Sequence, residues 1–446
     1  MLPLEPSDAQ LRELGNAALE FVTSFVAGLA DRPAHDPSAF VGDVSITDDA
    51  LPMGELLDTV GAAAALGVET AGPRYLGYIP AGGLVTSAIA GLLTLTMNRF
   101  GTVADMAPGL VAIEESVLRW LCREFGLPTG SGGVLTSGGS LATLTAVVAA
   151  RRTPDGTLYV SEHTHVCVAK AASIAGLPPE SVRIVPVDDD LRMDPLATAR
   201  MIAEDRRRGL VPFLIAGTAG TTDTGAVDPL AELADLARRE DLWFHVDGAY
   251  GGAFQLTGRG RARFAGIERA DSITLDPHKG LFLPYGIGAL LVRDTATLDR
   301  AYHRQAAYYQ DLGQREGLPD YAHRGLELTR EHRGLGVWLP LRLHGVQSFR
   351  DALDEKLDLA WRAYEELLRV PGLELPWPPQ LSTVVFRSKA GDHATERLFD
   401  EIRARGQYLL TSTRIRGRFF IRLCVLSHRT HTEHVLGAVE EIRSLS

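Results

Sequence analysis

The chain has 446 residues, of which 45% are hydrophobic and 23% charged, and its formal net charge is −11. This is ordinary globular composition, enough for two or three units of about 150 residues and for a large core without disulfides or metal. It excludes disordered, collagenous and disulfide-scaffold classes, and the acidic balance argues against a nucleic-acid or membrane-surface protein.

The opening residues lack the positive n-region and long apolar stretch of a signal peptide. The three cysteines, Cys122, Cys167 and Cys424, lie far apart with no metal-ligand spacing, so a reducing, cytoplasmic setting is expected. Leu11, Leu14, Leu19, Phe21, Val22, Phe25 and Val26 form a helical apolar stripe, broken at Asp31-Arg-Pro, and a second helix is expected over 50–66. This segment is too small for a core of its own. The apolar stretch Ala81 to Met97 is too short to span a bilayer and reads as a buried loop and helix.

From about residue 110 helices alternate with short strands. Strands are expected at 133–136, 158–161, 183–187, 212–217, 243–247, 272–276 and 288–293, with helices at 113–125, 195–208 and 230–239 and others after 140 and 166. Strands separated by helices imply parallel crossovers and a sheet covered on both faces. The stretch 301–333 is dense in charge and aromatics and reads as a helix followed by a mobile loop. After 340, helices at 348–368, 394–405 and 432–445 and strands at 383–386 and 419–425 predict an α+β unit. The expected division is 1–75, a helical dimer-packing segment; 76–345, a large α/β domain; and 346–446, a small α+β domain.

Four features fall at the carboxyl ends of predicted strands, the edge where open parallel sheets bind ligands. Ser137-Gly-Gly-Ser-Leu-Ala-Thr leads into a helix and suits an anion cradle, or a plain strand–helix turn. His163-Thr-His165 suits a metal pair, one buried polar histidine, or a surface turn. His245-Val-Asp247-Gly-Ala-Tyr-Gly-Gly brings a carboxylate out of an apolar strand beside small residues, which is costly without a cation or donors. Asp276-Pro-His278-Lys279-Gly280 carries one of only four lysines, the others being Lys170, Lys356 and Lys389. Burial there is expected to leave Lys279 a neutral, nucleophilic amine; the plain alternative is an ion pair with Asp276. Together these features suit a phosphorylated aromatic aldehyde, whose needs are a lysine, an acid for its ring nitrogen and a phosphate cup.

The segments HVDGAYGG and DPHK, with PRYLGYIP from Pro73, TSGGSLATL, His165 and AGTTDTGAVDPL, resemble the pyridoxal-phosphate-dependent group II amino-acid decarboxylases, the aromatic-L-amino-acid decarboxylases among them. The resemblance runs through most of the chain. It implies the type I pyridoxal-enzyme fold (aspartate aminotransferase-like), a homodimer with shared active sites, and decarboxylation of an L-amino acid to its amine and CO₂. By its residue matches, Lys279 holds the cofactor, Asp247 meets the ring nitrogen, His165 stacks on one ring face and Ala249 packs on the other. Gly139, Ser140 and His278 lie by the phosphate and Thr221 near the cofactor, while Tyr78 and Ile79 match substrate-contacting positions. Tyr321, in gapless register with a mobile-loop tyrosine, is expected to reprotonate the α-carbon in the neighbouring subunit's site.

The chain departs from the pattern at Gly280, where many relatives carry a bulky residue, and at Leu141, where many carry glutamate. These departures bear on substrate, which is expected to be aromatic, with a non-aromatic amino acid as the alternative. Other readings are an aldehyde-forming or carbon–carbon bond-forming pyridoxal enzyme, a zinc hydrolase built on His163, His165 and Asp247, and an inactive pyridoxal-binding scaffold.

Overall fold

The computed structural model describes residues 3–446 apart from 37–41, 43, 154, 305–306, 308–310, 312 and 314. Its centre is a seven-stranded sheet formed by β1 (Gly132–Thr136), β2 (Gly156–Ser161), β3 (Val182–Val185), β4 (Val211–Thr218), β5 (Trp243–Gly248), β6 (Ser272–Leu275) and β7 (Gly288–Val292). The spatial order is β1-β7-β6-β5-β4-β2-β3. Only β7 runs against its neighbours, so the other six strands end on one common edge. Their sequences are continuous apolar runs, not alternations, because helices cover both faces: Leu135, Leu158, Ile215, Val246, Ile273 and Leu290 are all buried. Each expected strand is present within a few residues.

The covering helices follow from their apolar faces. Leu230–Arg239 buries Leu230, Leu233, Ala234, Leu236 and Ala237 along one side. Pro108–Glu124 opens with proline at its first turn and buries Val111, Val117, Leu118 and Leu121, together with Glu114. The C-terminal elements form a second, antiparallel sheet of β8 (Leu373–Glu374), β9 (Thr383–Ser388), β10 (Thr411–Ile415) and β11 (Arg418–Cys424), in the order β8-β9-β11-β10. Helices Val346–Leu368, Asp392–Arg405 and Thr432–Leu445 pack on it around Ala360, Leu367, Phe386, Ile421 and Val435.

Two expectations need correction. The helix Val85–Met97 is not buried throughout: only Ser87, Ala90 and Thr94 are, while Leu92 and Leu95 are 66% and 64% exposed. A helix laid on a surface hides one stripe, so a stretch that is apolar all round leaves its opposite stripe bare. The 301–333 stretch begins with the tail of helix Ala296–Tyr302 and ends in a packed 3-10 turn, Tyr321–His323; part of what lies between falls outside the described residues. No helix among the described residues is long and apolar enough to cross a membrane.

The N-terminal helix Asp8–Gly28 starts at Ser7, whose hydroxyl accepts from the Gln10 N–H while the Gln10 side chain caps the Ser7 N–H. It buries none of its residues, and Leu11 and Leu19 stand 60% and 64% exposed.

A buried ion pair ties the helix Pro108–Glu124 to the end of the 301–333 stretch. Arg330 grips Glu114 with two hydrogen bonds, of 2.6 and 3.1 Å, and both side chains are almost wholly buried. Losing one partner leaves an uncompensated buried charge, typically at a cost of about 3–5 kcal/mol. Glu114→Ala is therefore expected to lower stability by about that amount, read as a shift of the denaturant midpoint of the cofactor-loaded protein; an unshifted midpoint would refute it.

Candidate active site

The common strand edge holds a cavity of about 300 Å³, at the small end of the range for small-molecule sites. Its wall includes Ser137, Gly138, Gly139 and Ser140 after β1; His165 and Cys167 after β2; Thr218, Gly220 and Thr222 from the end of β4; Asp247 and Ala249 from the end of β5; and Asp276, His278 and Lys279 after β6. Parallel pairing sets this convergence, since Thr218 pairs with Asp247 and Gly248 with Leu275 across adjacent strands.

The glycine turn is shaped for close approach. A Cβ on Gly139 would lie 3.0 Å from Asp276 Oδ2 and 3.1 Å from Ala249 Cβ. The helix it opens, Gly139–Ala150, has no side-chain cap, so its first N–H groups are free for a bound anion.

Asp247 is 4% exposed. Its Oδ1 accepts from the Ala249 N–H at 3.0 Å, and Cys167 Sγ lies 4.0 Å from Oδ2. Burial and the Asp247 charge push the Cys167 thiol up to about 12, so it stays protonated beside the carboxylate. His165 is exposed to the cavity, and its Nδ1 accepts from the Cys167 N–H, which leaves a ring proton to Nε2. His245, two residues before Asp247, is a core residue: burial pulls it down to about 4, and its Nδ1 meets Ser272 Oγ at 2.8 Å.

Lys279 is the only one of the four lysines on the cavity wall. Lys356 is buried against Glu355 and the Thr430 carbonyl, Lys389 bonds the Pro371 carbonyl, and Lys170 is exposed on a helix. The expectation of a neutral amine is corrected. Burial pulls the Lys279 ammonium down, but Asp276 Oδ2 at 2.9 Å, helped by Asp247 and Cys167, raises it overall. In the free chain Lys279 is an ion-paired cation.

His278 donates from Nδ1 to the Ile287 carbonyl at 2.8 Å and turns Nε2 toward Asp276. Gly280 also has a local reason, since a Cβ there would lie 2.3 Å from Ala253 Cβ.

Other expected residues lie elsewhere. Thr221 is buried beneath the wall, bonding Thr224 Oγ1 at 3.0 Å and the Ala226 N–H, while its neighbours Gly220 and Thr222 face the cavity. Ile79 is buried in the main core. Tyr78 is 63% exposed with a left-handed φ of 48°, pinned by Thr411 and Arg422. Arg422 also bonds the Thr222 carbonyl, linking Tyr78 to the cavity rim. Tyr321 is off the cavity and differs from a mobile-loop residue. It is 1% exposed, its hydroxyl donates to Glu115 at 3.2 Å, and the Arg330 guanidinium sits over its ring. His163 turns Nδ1 to Asp223 at 3.2 Å, and among the described residues no three-ligand metal cluster forms with His165 and Asp247.

The sequence reading missed Cys167, Thr218, Thr222 and Asp276 as wall residues. Asp276 and Cys167 stood inside or beside the quoted motifs, whereas Thr218 and Thr222 carried only the weaker signal of following a buried strand.

The cavity fits pyridoxal phosphate by its own features. An uncapped glycine turn suits a phosphate, a carboxylate without a cation in hydrogen-bond contact suits a protonated ring nitrogen, and Thr218 Oγ1 and Asp276 Oδ1 are buried without hydrogen-bond partners.

Comparison with known proteins agrees. Residues 38–389 match the pyridoxal-dependent decarboxylase conserved domain. An aromatic-L-amino-acid decarboxylase of Bacillus atrophaeus is 35% identical, the match covering 84% of this chain and 81% of that protein. An L-2,4-diaminobutyrate decarboxylase of Rhizobium meliloti is 31% identical over 96% of this chain and 92% of that protein. The crystal structure of Oryza sativa TDC with PLP and tryptamine superposes with a TM-score of 0.93 at 25% identity, covering 100% of this chain and 99% of that one. With its type I fold and this cavity, the chain belongs to the pyridoxal-dependent decarboxylases and is a pyridoxal-phosphate-dependent amino-acid carboxy-lyase.

Proposed function

We propose that the substrate is an aromatic L-amino acid, converted to its amine and CO₂ in the cytoplasm by a homodimer. The observation that carries the site reading is the single cavity in which Lys279, Asp247, His165 and the glycine turn meet. The aromatic preference rests on relatives such as the aromatic-L-amino-acid decarboxylase at 35% identity, with the diaminobutyrate decarboxylase at 31% as the competing case. Incubation with each L-amino acid, read for amine and aldehyde by mass spectrometry, tests it; turnover confined to non-aromatic substrates would refute it.

Pyridoxal phosphate, when bound, supplies the acceptor for the electron pair left when CO₂ departs. The chain's residues make this possible. Lys279 would hold the cofactor through its amine, and in the free chain it pairs with Asp276. Asp247 keeps a proton on the ring nitrogen, because a buried carboxylate favours the cation beside it. His165 covers one ring face and Ala249 the other, excluding water. Gly139, Ser140 and His278 hold the phosphate end, and Thr221 fixes the turn that presents Thr222 to the wall. Tyr78, tied to the Thr222 carbonyl through Arg422, stands at the approach to the site, and Ile79 supports it from the core.

Tyr321 delivers the proton to the α-carbon across the dimer. For that it must first leave Glu115, and burial with the flanking Glu114 and Glu115 holds its hydroxyl well above the usual range, so it is fully protonated at neutral pH. The dimer covers the bare stripes of Asp8–Gly28 and Val85–Met97.

Three outcomes are expected. Borohydride reduction followed by peptide mapping puts the pyridoxyl group on Lys279; a label on Lys170, Lys356 or Lys389 would sink the assignment. Asp247→Ala lowers kcat by the equivalent of about 2–4 kcal/mol with the fold intact by circular dichroism, and a loss of only a few-fold means the carboxylate is structural. Tyr321→Phe binds cofactor normally but makes amine about 10²-fold more slowly, with aldehyde appearing in oxygen. Mixing it with Lys279→Ala chains restores amine through hybrid dimers. No recovery despite hybrid formation would show that the tyrosine does not act across the interface.

A further inference from the structure

Asp276 leaves β6 with a 3% exposed side chain whose two oxygens differ. Oδ2 lies 2.9 Å from Lys279 Nζ and 3.7 Å from His278 Nε2. Oδ1 is buried and has no hydrogen-bond partner. Both oxygens border the glycine turn: a Cβ on Gly139 would lie 3.0 Å from Oδ2, and one on Gly138 4.0 Å from Oδ1. The carboxylate therefore abuts the place where uncapped N–H groups would receive the phosphate.

The charged and titratable groups facing it are Lys279 and His278 on its own turn, Asp247 from the end of β5 and Cys167 from the helix after β2. Lys279 is its one cation among the described residues. His278 cannot replace it: Nδ1 is spent on the Ile287 carbonyl, which leaves neutral Nε2 an acceptor, and burial lowers the ring's basicity. Once Lys279 turns its charge from Asp276 to the cofactor, a carboxylate facing a phosphate is two like charges in a desolvated site, a situation that protonation of one relieves.

We propose that Asp276 is a proton-carrying member of the cofactor site, paired with Lys279 before loading and taking up one proton when Lys279 is committed to the cofactor. This rests on reading the glycine turn as the phosphate cradle and Lys279 as the attachment point. Attachment itself is proton-neutral: two of the ammonium's three hydrogens leave as water with the aldehyde oxygen, and one stays on the nitrogen as the C=N bond forms. The proton that the wild-type chain takes up beyond an Asp276→Asn chain therefore reports Asp276, which as a neutral acid can donate from one oxygen to the phosphate or to His278 Nε2.

The test is calorimetric titration of cofactor-free protein with pyridoxal phosphate in two buffers of different ionisation enthalpy. The wild-type chain is expected to take up about one proton more per site than Asp276→Asn, and its affinity to fall about tenfold more steeply per pH unit as pH rises, because loading that consumes a proton weakens with pH. Equal uptake by the two chains overturns the proposal, as does an Asp276→Asn chain that folds but no longer binds cofactor, since the amide keeps the shape and removes only the charge.

A second comparison needs no substitution. 4′-Deoxypyridoxine 5′-phosphate has the ring and phosphate but no aldehyde, so it leaves Lys279 with Asp276 and should take up about one proton less than pyridoxal phosphate. Equal uptake again overturns the proposal. A borohydride label away from Lys279 would overturn the site assignment and the proposal with it, which separates the two failures.

Discussion

Two carboxylates emerge from adjacent buried strands with one cation between them. Asp247 ends β5, Asp276 follows β6, and Lys279 is drawn upward by both. Buried charge of this kind is tolerated only where it is compensated. The surrounding architecture, from the uniformly apolar strands to the helices on both faces, buries both carboxylates and so keeps the charges coupled. Such a charge arrangement suits a ligand that carries both a ring cation and an anion, as pyridoxal phosphate does.

Lysine scarcity sharpens the arrangement. Apart from Lys279 at Asp276, Lys356 at Glu355 and several histidines, the ion pairs among the described residues are made by arginine, whose guanidinium forks grip carboxylates at two points, as Arg330 does at Glu114 and Arg333 at Glu327. A guanidinium is always charged and cannot serve as a nucleophile. The single lysine on the cavity wall is thus chemically distinct from every arginine around it, and its ion pair with Asp276 holds it ready without consuming it.

The apolar surfaces are less self-sufficient. The N-terminal helix buries nothing of its own, and Val85–Met97 shows a stripe of leucines. These are the surfaces that the proposed dimer would cover. The packed position of Tyr321 sits oddly beside them, because the residue in register with the relatives' loop tyrosine is here held by Glu115 and Arg330 in the core of its own chain.

What the sequence determined by itself was everything carried by short-range pattern. Uninterrupted apolar runs specified doubly covered strands, helical spacing specified Leu230–Arg239, and the wall residues Gly139, Asp247 and Lys279 were legible in motifs at strand ends, with His165, Ala249 and His278 singled out through the family resemblance. Tertiary structure alone decided the rest. Strand order brought Thr218 and Thr222 to the wall, although neither sits in a motif of its own. Which of two local effects governs Lys279, burial or the ion pair with Asp276 three residues earlier, also depended on the fold: the 2.9 Å contact forms, Asp247 from the neighbouring strand adds to it, and Lys279 stays a cation. The stripe of Val85–Met97 left bare and the burial of Tyr321 depend on which surfaces meet, and a chain's own pattern carries no record of the distance between residues two hundred positions apart, such as Tyr321 and Glu115.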